Sequence, residues 1–313
     1  MATPTVEHTG SGADPLFRRG RVSARDERVF IGKLALCAAL VAAGVALATM
    51  DSWPAVAAGV LILAATYTHA VELQHQALHH SAFRRPGPHR WVGVVLGAPM
   101  LVSYSHYRVR HLQHHRNLGT PEDTEFFGFD TRQGVTWKGM LRGLFDVVRL
   151  GRTGVEIWRA YRGTWEYAFG QISPKAKRAV IAEYRMMGAL IAAAAVLCAL
   201  GQWPLVLTLW VVPMLVGQPL HFLVELPEHL LCETDSLDVL RNTRSIKGSR
   251  ISSWFTNGNN FHVEHHAAMS VPINKLRDRH GEVQRRGAYV VRSYPAFYWS
   301  VVRELVARKP SAV

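Results

Sequence analysis

Three short runs carry the residues of this chain best suited to chemistry: His75-Gln-Ala-Leu-His79-His80, His111-Leu-Gln-His114-His115 and His262-Val-Glu-His265-His266. Two of them share the spacing H-x-x-H-H. On a helix, positions i, i+3 and i+4 lie on one face, so each such run can aim three imidazoles at one point. Neutral imidazole is the commonest protein ligand for transition metals, so the chemistry implied is that of a metal centre. In the first run His75 and His79 face one way and His80 is turned by about 100°. Either His79 or His80 can therefore partner His75. His229, in Glu225-Leu-Pro-Glu-His229, is a further candidate. The full set, His75, His79, His80, His111, His114, His115, His229, His262, His265 and His266, exceeds the three or four protein ligands of a single zinc and is enough for two metals.

Carboxylates near these runs are candidates to orient the second ring nitrogen of each ligand. They are Glu72, Glu225, Glu264, Asp238 and the run Glu122-Asp123-Thr124-Glu125. Glu225 is the strongest, four residues before His229 at the end of an apolar stretch. An all-imidazole set differs from the Glu-rich sites of ferritin-like bundles.

The elements that must position these histidines are apolar. Residues 34–50, 53–71, 186–201 and 203–224 contain no Asp, Glu, Lys or Arg. Roughly 20 apolar residues cross a bilayer core. Four spans are expected, at about 30–50, 53–74, 185–201 and 203–225, joined in two helical hairpins through Asp51-Ser52 and Gln202. None of the 36 Lys and Arg residues lies in either turn. They fall in the N-terminal tail, the segment 72–185 and the segment 225–313, apart from Lys33 at a span edge. By the positive-inside rule both termini and all three His runs are cytoplasmic. The net charge of +13 thus reads as a topology signal rather than a nucleic-acid one.

The second span runs into the first His run with no helix breaker before Pro86, which sets His75 about 33 Å along the helix from Trp53, at or just above the membrane face. Residues 92–104 are apolar but too short to cross, and suit an interfacial or re-entrant segment. Trp137 to Ala168 is amphipathic. It fits either a helix packed on the cytoplasmic cap or one lying on the membrane with Trp137, Trp158, Tyr161, Trp165 and Tyr167 at headgroup depth. Residues 1–25 read as a disordered tail with no signal peptide, 26–285 as one membrane domain, and 286–313 as a cytoplasmic C-terminal segment. Cys37, Cys198 and Cys232 have no metal-ligand spacing and read as free thiols. His8 and His280 read as solvent-exposed, His69 and His221 as histidines bonded to a neighbouring helix, and His89 and His106 as flanking the interfacial segment, with His106 near enough to the second run to support it.

The motifs together resemble the membrane fatty acid desaturase and hydroxylase superfamily. The resemblance rests on the first run followed by Ser-Ala-Phe, on the second run, and on Asn259-Asn260-Phe261 leading into the third, with Arg241-Asn-Thr-Arg-Ser-Ile246 upstream. Order, spacing and the two-hairpin plan extend it over roughly residues 30–285. It implies an all-α integral membrane fold of four spans with a cytoplasmic helical cap. The cap would hold two non-heme irons on the ten histidines named above, with Glu225 and Asn260 behind them. It also implies O2 as co-substrate, a lipid or acyl substrate, and electrons from a separate ferredoxin-, rubredoxin- or cytochrome-type donor and its reductase. An acidic donor would suit the basic face.

Such a centre oxidises an unactivated C–H bond. Loss of a second hydrogen gives an alkene and return of hydroxyl gives an alcohol. Desaturation of an acyl chain is the first expectation, and hydroxylation or ketolation of a lipid or carotenoid the second. A His-rich metal transporter would instead place ligands at the bilayer midplane, where only His69 and His221 lie. A membrane zinc hydrolase would need fewer ligands.

Overall fold

The structure, a computed structural model, describes residues 14–124, 132 and 134–307. It is mostly helical, and three of its helices are long and apolar enough to cross a membrane: Ala24–Ala48, Trp53–Leu78 and Pro174–Glu228. The first is α1, which begins at a capping box. Ser23 Oγ accepts from Asp26 N, and the Asp26 side chain accepts from Ser23 N. The second is α2, which Ser52 precedes and Pro54 helps start. These two helices pack closely because glycines line the seam. A Cβ on Gly59 would sit 2.4 Å from Ala48 N and 2.6 Å from the Gly44 carbonyl, and backbone cannot move aside as a side chain can.

The third stretch opens as α7 (Pro174–Leu197), capped by Ser173. Gly201 interrupts it with φ 81°, a left-handed conformation that glycine adopts without strain. The chain resumes through α8 (Trp203–Val206), a wide π-type turn at Leu207–Val211 and α9 (Val212–Glu225), and closes in a 3₁₀ turn at Leu226–Glu228.

Between the apolar stretches, α3 (Gly87–Gly97) and a 3₁₀ turn at Ala98–Met100 lead into α4 (Tyr104–Asn117). Gln74 on α2 holds this turn by donating Nε2 to the Gly93 and Val102 carbonyls, at 2.8 and 3.1 Å. Glu183 on α7 fixes the start of α4. Its carboxylate accepts from Ser103 Oγ (2.8 Å), Ser105 N (2.8 Å) and Ser105 Oγ (2.6 Å), and pairs with Arg90. Next come α5 (Trp137–Leu144) and α6 (Val147–Arg162), whose apolar residues Trp137, Leu141, Phe145, Val148 and Trp158 are exposed. Trp165 and Tyr167, which one of the two readings set at headgroup depth, are buried with Ala160, Val180, Tyr184 and Met187. Past α6 the chain turns inward and packs on α7.

The C-terminal third is built from short pieces: α10 (Val239–Asn242), β1 (Ser245–Ile246), α11 (Arg250–Phe255), α12 (His262–Ala267), α13 (His280–Arg286), β2 (Val290–Val291) and α14 (Tyr294–Ala307). β1 and β2 pair in parallel, Ser245 with Val290 and Ile246 with Val291. Phe297, Val301 and Leu305 of α14 share a core with Phe222, Leu226 and Leu230. Residues 286–307 are therefore packed into the same body, not a segment set apart from it. The expected tail over 1–25 also needs correction from residue 14 onward. Leu16 is fully buried beside Val263 and Val283, Arg279 donates to the Leu16 carbonyl, and Arg286 pairs with Asp14. Two adjacent apolar residues, Leu16 and Phe17, in a polar stretch carry no periodicity to signal that burial. The rest of that tail, including His8, lies outside the described residues.

Candidate metal centre

Four elements deliver the histidines. The last turn of α2 carries His75, and His79 forms its C-cap. α4 carries His111, His114 and His115, and α12 carries His262, His265 and His266. The 3₁₀ turn after α9 ends at His229. His75, His79, His111, His115 and His265 form one group whose ligand atoms all lie within 4.8 Å of one another. His114, His229 and His266 form a second, and His262 joins it through His229 and Glu228.

Within the first group the Nε2 atoms run in close succession. His75 Nε2 lies 3.2 Å from that of His79 and 2.7 Å from that of His111, and His115 Nε2 lies 3.0 Å from that of His111 and 3.1 Å from that of His265. Nitrogens held about 2.1 Å from one ion lie about 3.0 Å apart at right angles and about 3.4 Å apart in a tetrahedron. The spacing is that of ligands around a shared cation.

The second group shows why a cation fits. His114 Nδ1 donates to Asp123 Oδ1 at 2.7 Å, His229 Nδ1 to the Asn242 carbonyl at 3.1 Å, and His262 Nδ1 to Asn259 Oδ1 at 3.2 Å. Each partner is an acceptor, so each neutral ring carries its hydrogen on Nδ1 and a lone pair on Nε2. Yet His114 Nε2 and His262 Nε2 each lie 3.2 Å from His229 Nε2. Three lone pairs then face one another with no hydrogen between them. Such an arrangement is repulsive until a positive ion occupies its centre, and imidazole nitrogens suit iron, zinc, copper or nickel.

Burial keeps His115, His262 and His266 neutral and so available as ligands. His115, His262 and His266 are held well below the ordinary imidazole range, first by loss of solvent and then by the neighbouring imidazoles.

The segment Arg241–Ile246 supports this geometry residue by residue. Asn242 offers its carbonyl to His229. Arg244, buried, donates Nη1 to the carbonyls of Pro227 (2.5 Å) and Leu230 (2.6 Å), which fixes the turn that presents His229. Ser245 Oγ accepts from Val263 N at 3.0 Å and donates to Glu264, anchoring α12. Ile246 exchanges backbone and side-chain bonds with Asn260.

Nine of the ten expected histidines are brought together, and His80 is not. It takes φ 56°, turns out of the helix and stacks on His89 at 4.6 Å, leaving His79 in the group. Two expected orienting residues are also placed elsewhere. Asn260 serves the backbone of Ile246 and accepts from Thr256 Oγ1, and it is the adjacent Asn259 that meets a histidine. Glu225 pairs with His221 at 3.1 Å and lies beside Glu72, not beside His229, because α9 gives way to the 3₁₀ turn at Leu226–Glu228 between them. Asp123 does orient His114. Glu264 accepts from His280 at 2.6 Å, so His280 is buried where solvent exposure was expected. Asp238 caps α10, and Glu125 lies outside the described residues. His106 meets the Tyr184 hydroxyl and gives the second run no direct support. His69 behaves as expected, bonding the Phe255 carbonyl across helices. Sequence reasoning overlooked Glu228, whose Oε2 lies 3.2 Å from His262 Nε2 while Asn259 holds its Oε1. Its position next to His229 was the available signal.

Comparison with known proteins agrees with this geometry. A family model described as "Fatty acid desaturase" matches residues 51–299, most of the chain. That stretch contains every histidine of both groups. No curated protein matches the chain.

Proposed function

Starting from the chain's membership of the fatty acid desaturase family, we propose that this oxidoreductase is a membrane-bound, O2-dependent desaturase of an acyl chain, working through two iron ions. The family carries the coarser statement, a lipid-modifying oxidase with a His-rich metal site in a membrane protein. The facing lone pairs of His114, His229 and His262 support the finer one, because a nine-imidazole set in two groups offers places for two ions. His75, His79, His111, His115 and His265 would hold one ion, and His114, His229, His262 and His266 the other. Iron bound there would supply oxygen activation and removal of hydrogen from an unactivated C–H bond.

The chain's own residues set the conditions for that chemistry. Asp123, Asn259 and the Asn242 carbonyl fix three ring tautomers and hold the Nε2 atoms in place before any metal arrives. Burial excludes bulk water from the imidazoles, which limits side reactions. Desaturation consumes one O2, two electrons and two protons per double bond formed and releases two waters. Electrons come from an external donor, for which we propose an acidic ferredoxin-, rubredoxin- or cytochrome-type protein with its reductase, docking on the basic face.

We read the Pro174–Glu228 stretch as two spans broken at Gly201, which with α1 and α2 makes four spans in two hairpins. The His groups then lie on the cytoplasmic side, where the Lys and Arg residues concentrate. The testing experiment reconstitutes detergent-purified protein with iron and a reductase system and follows acyl-CoA, acyl-carrier-protein and phospholipid substrates by mass spectrometry. Loss of two hydrogens is expected. Gain of an oxygen would replace desaturation by hydroxylation, and stoichiometric zinc with no turnover would refute the oxidase.

A further inference from the structure

One turn below the imidazole groups, α2 and α9 carry a second kind of cluster. Glu72 precedes His75 by three residues on α2, about 4.5 Å along the helix, and Glu225 closes α9 four residues before His229, across the 3₁₀ turn. With His221, one turn earlier on α9, they form a group whose ligand atoms all lie within 4.8 Å of one another. His221 Nε2 is 3.1 Å from Glu225 Oε1. None of the three belongs to the imidazole groups.

The cluster is incompletely satisfied. Glu72 is 1% exposed, and its Oε2 has no hydrogen-bond partner. Gln218, which shares the His221 and Glu225 face of α9 by helical spacing, also leaves Nε2 without a partner. Among the described residues no Lys or Arg nitrogen comes within ion-pair distance of Glu72 or Glu225. The half-buried Arg149 nearby gives its Nη1 to the Met100 carbonyl at 3.2 Å. Two ionised carboxylates side by side between apolar helices cost several kcal/mol unless a proton or a cation joins them. Two carboxylate oxygens and one imidazole nitrogen are a ligand set for a divalent first-row ion with open positions for water.

We propose that Glu72, His221 and Glu225 form a third metal site, carboxylate-rich and distinct from the imidazole groups, that binds a divalent ion such as Mn(II) or Fe(II). It stands independently of the oxidase reading.

The test uses the full chain in detergent. Protein produced with iron is desalted and titrated anaerobically with Mn(II), with uptake followed by electron paramagnetic resonance and total metal by mass spectrometry. Three ions per chain are expected in the wild type and two in Glu72→Gln/Glu225→Gln, with the affinity of the lost ion down at least tenfold. His221→Asn is a milder second variant and should weaken the same ion. His80→Ala should leave the count at three. An equal total in wild type and the double variant overturns the third site. His265→Ala should lose imidazole-bound metal and keep the carboxylate-bound ion. If it loses none, the imidazole centre is the reading that fails. Should the double variant not fold, anomalous scattering at the manganese edge from wild-type crystals decides. A peak between Glu72 and Glu225 is expected, and its absence overturns the proposal.

Discussion

His79 and His80 are adjacent in the chain, and only His79 joins the five-imidazole group, so replacing each in turn tests the geometry directly. His79→Ala removes one imidazole from a group of five. Structural metal sites with four ligands are worth about 10–16 kcal/mol in all. One ligand then carries about 3 kcal/mol, and its loss should weaken binding of that ion roughly a hundredfold. His80→Ala removes a ring that only stacks on His89, an interaction worth about 0.5–1.5 kcal/mol, and leaves the metal count unchanged. His80→Gly separates the two contributions at this position further. It forfeits the same stacking but relieves a left-handed backbone at φ 56°, a gain of about 1 kcal/mol. Its net effect on stability should fall within about 1 kcal/mol of zero. The assay is metal retained per chain during competition with a graded series of chelators, alongside thermal unfolding in detergent. Loss of metal from His80→Ala with full retention in His79→Ala would refute the assignment.

Three further perturbations follow from the same contacts. Asp123→Asn keeps the size of the side chain but weakens the acceptor for His114 Nδ1, and should lower metal affinity about 10- to 100-fold, measured by the same competition. Acid should destabilise the metal-free protein. His115, His262 and His266 are held below 6.5 when folded, so the unfolded chain binds protons first. Stability present above pH 6.5 is lost as pH falls, by up to about 1.4 kcal/mol per pH unit for each uncoupled group. A melting temperature that stays flat or rises from pH 7 to 5 would contradict this. Gly59→Val drives a side chain into the Ala48 and Gly44 backbone and should cost at least about 1–3 kcal/mol, seen as a lower unfolding temperature, whereas Gly32→Val, with open space around it, should not.

The chemistry of this protein was legible in its sequence because helical spacing turns a pattern of residue types into a pattern of directions. His111, His114 and His115 share a face wherever their helix goes, and so do His262, His265 and His266. The apolar stretches were legible for a related reason, since a run without charges reports its solvent whatever it packs against. Tertiary structure was needed wherever distant segments meet. His79 and His80 were equivalent until the helix ended between them and a left-handed residue turned one away. Asn259 and Asn260 were equally good partners until the bend before α12 gave one to His262 and the other to Ile246. Glu225 lay near His229 in sequence, yet its helix face directs it to His221 and Glu72. Leu16 and His280 read as solvent-facing because nothing local to them says which surface will close over them. The sequence by itself determined which residues can ligate, orient and cross. Only the folded chain decided which of them face the same point, because that depends on contacts between residues from 33 to 150 positions apart.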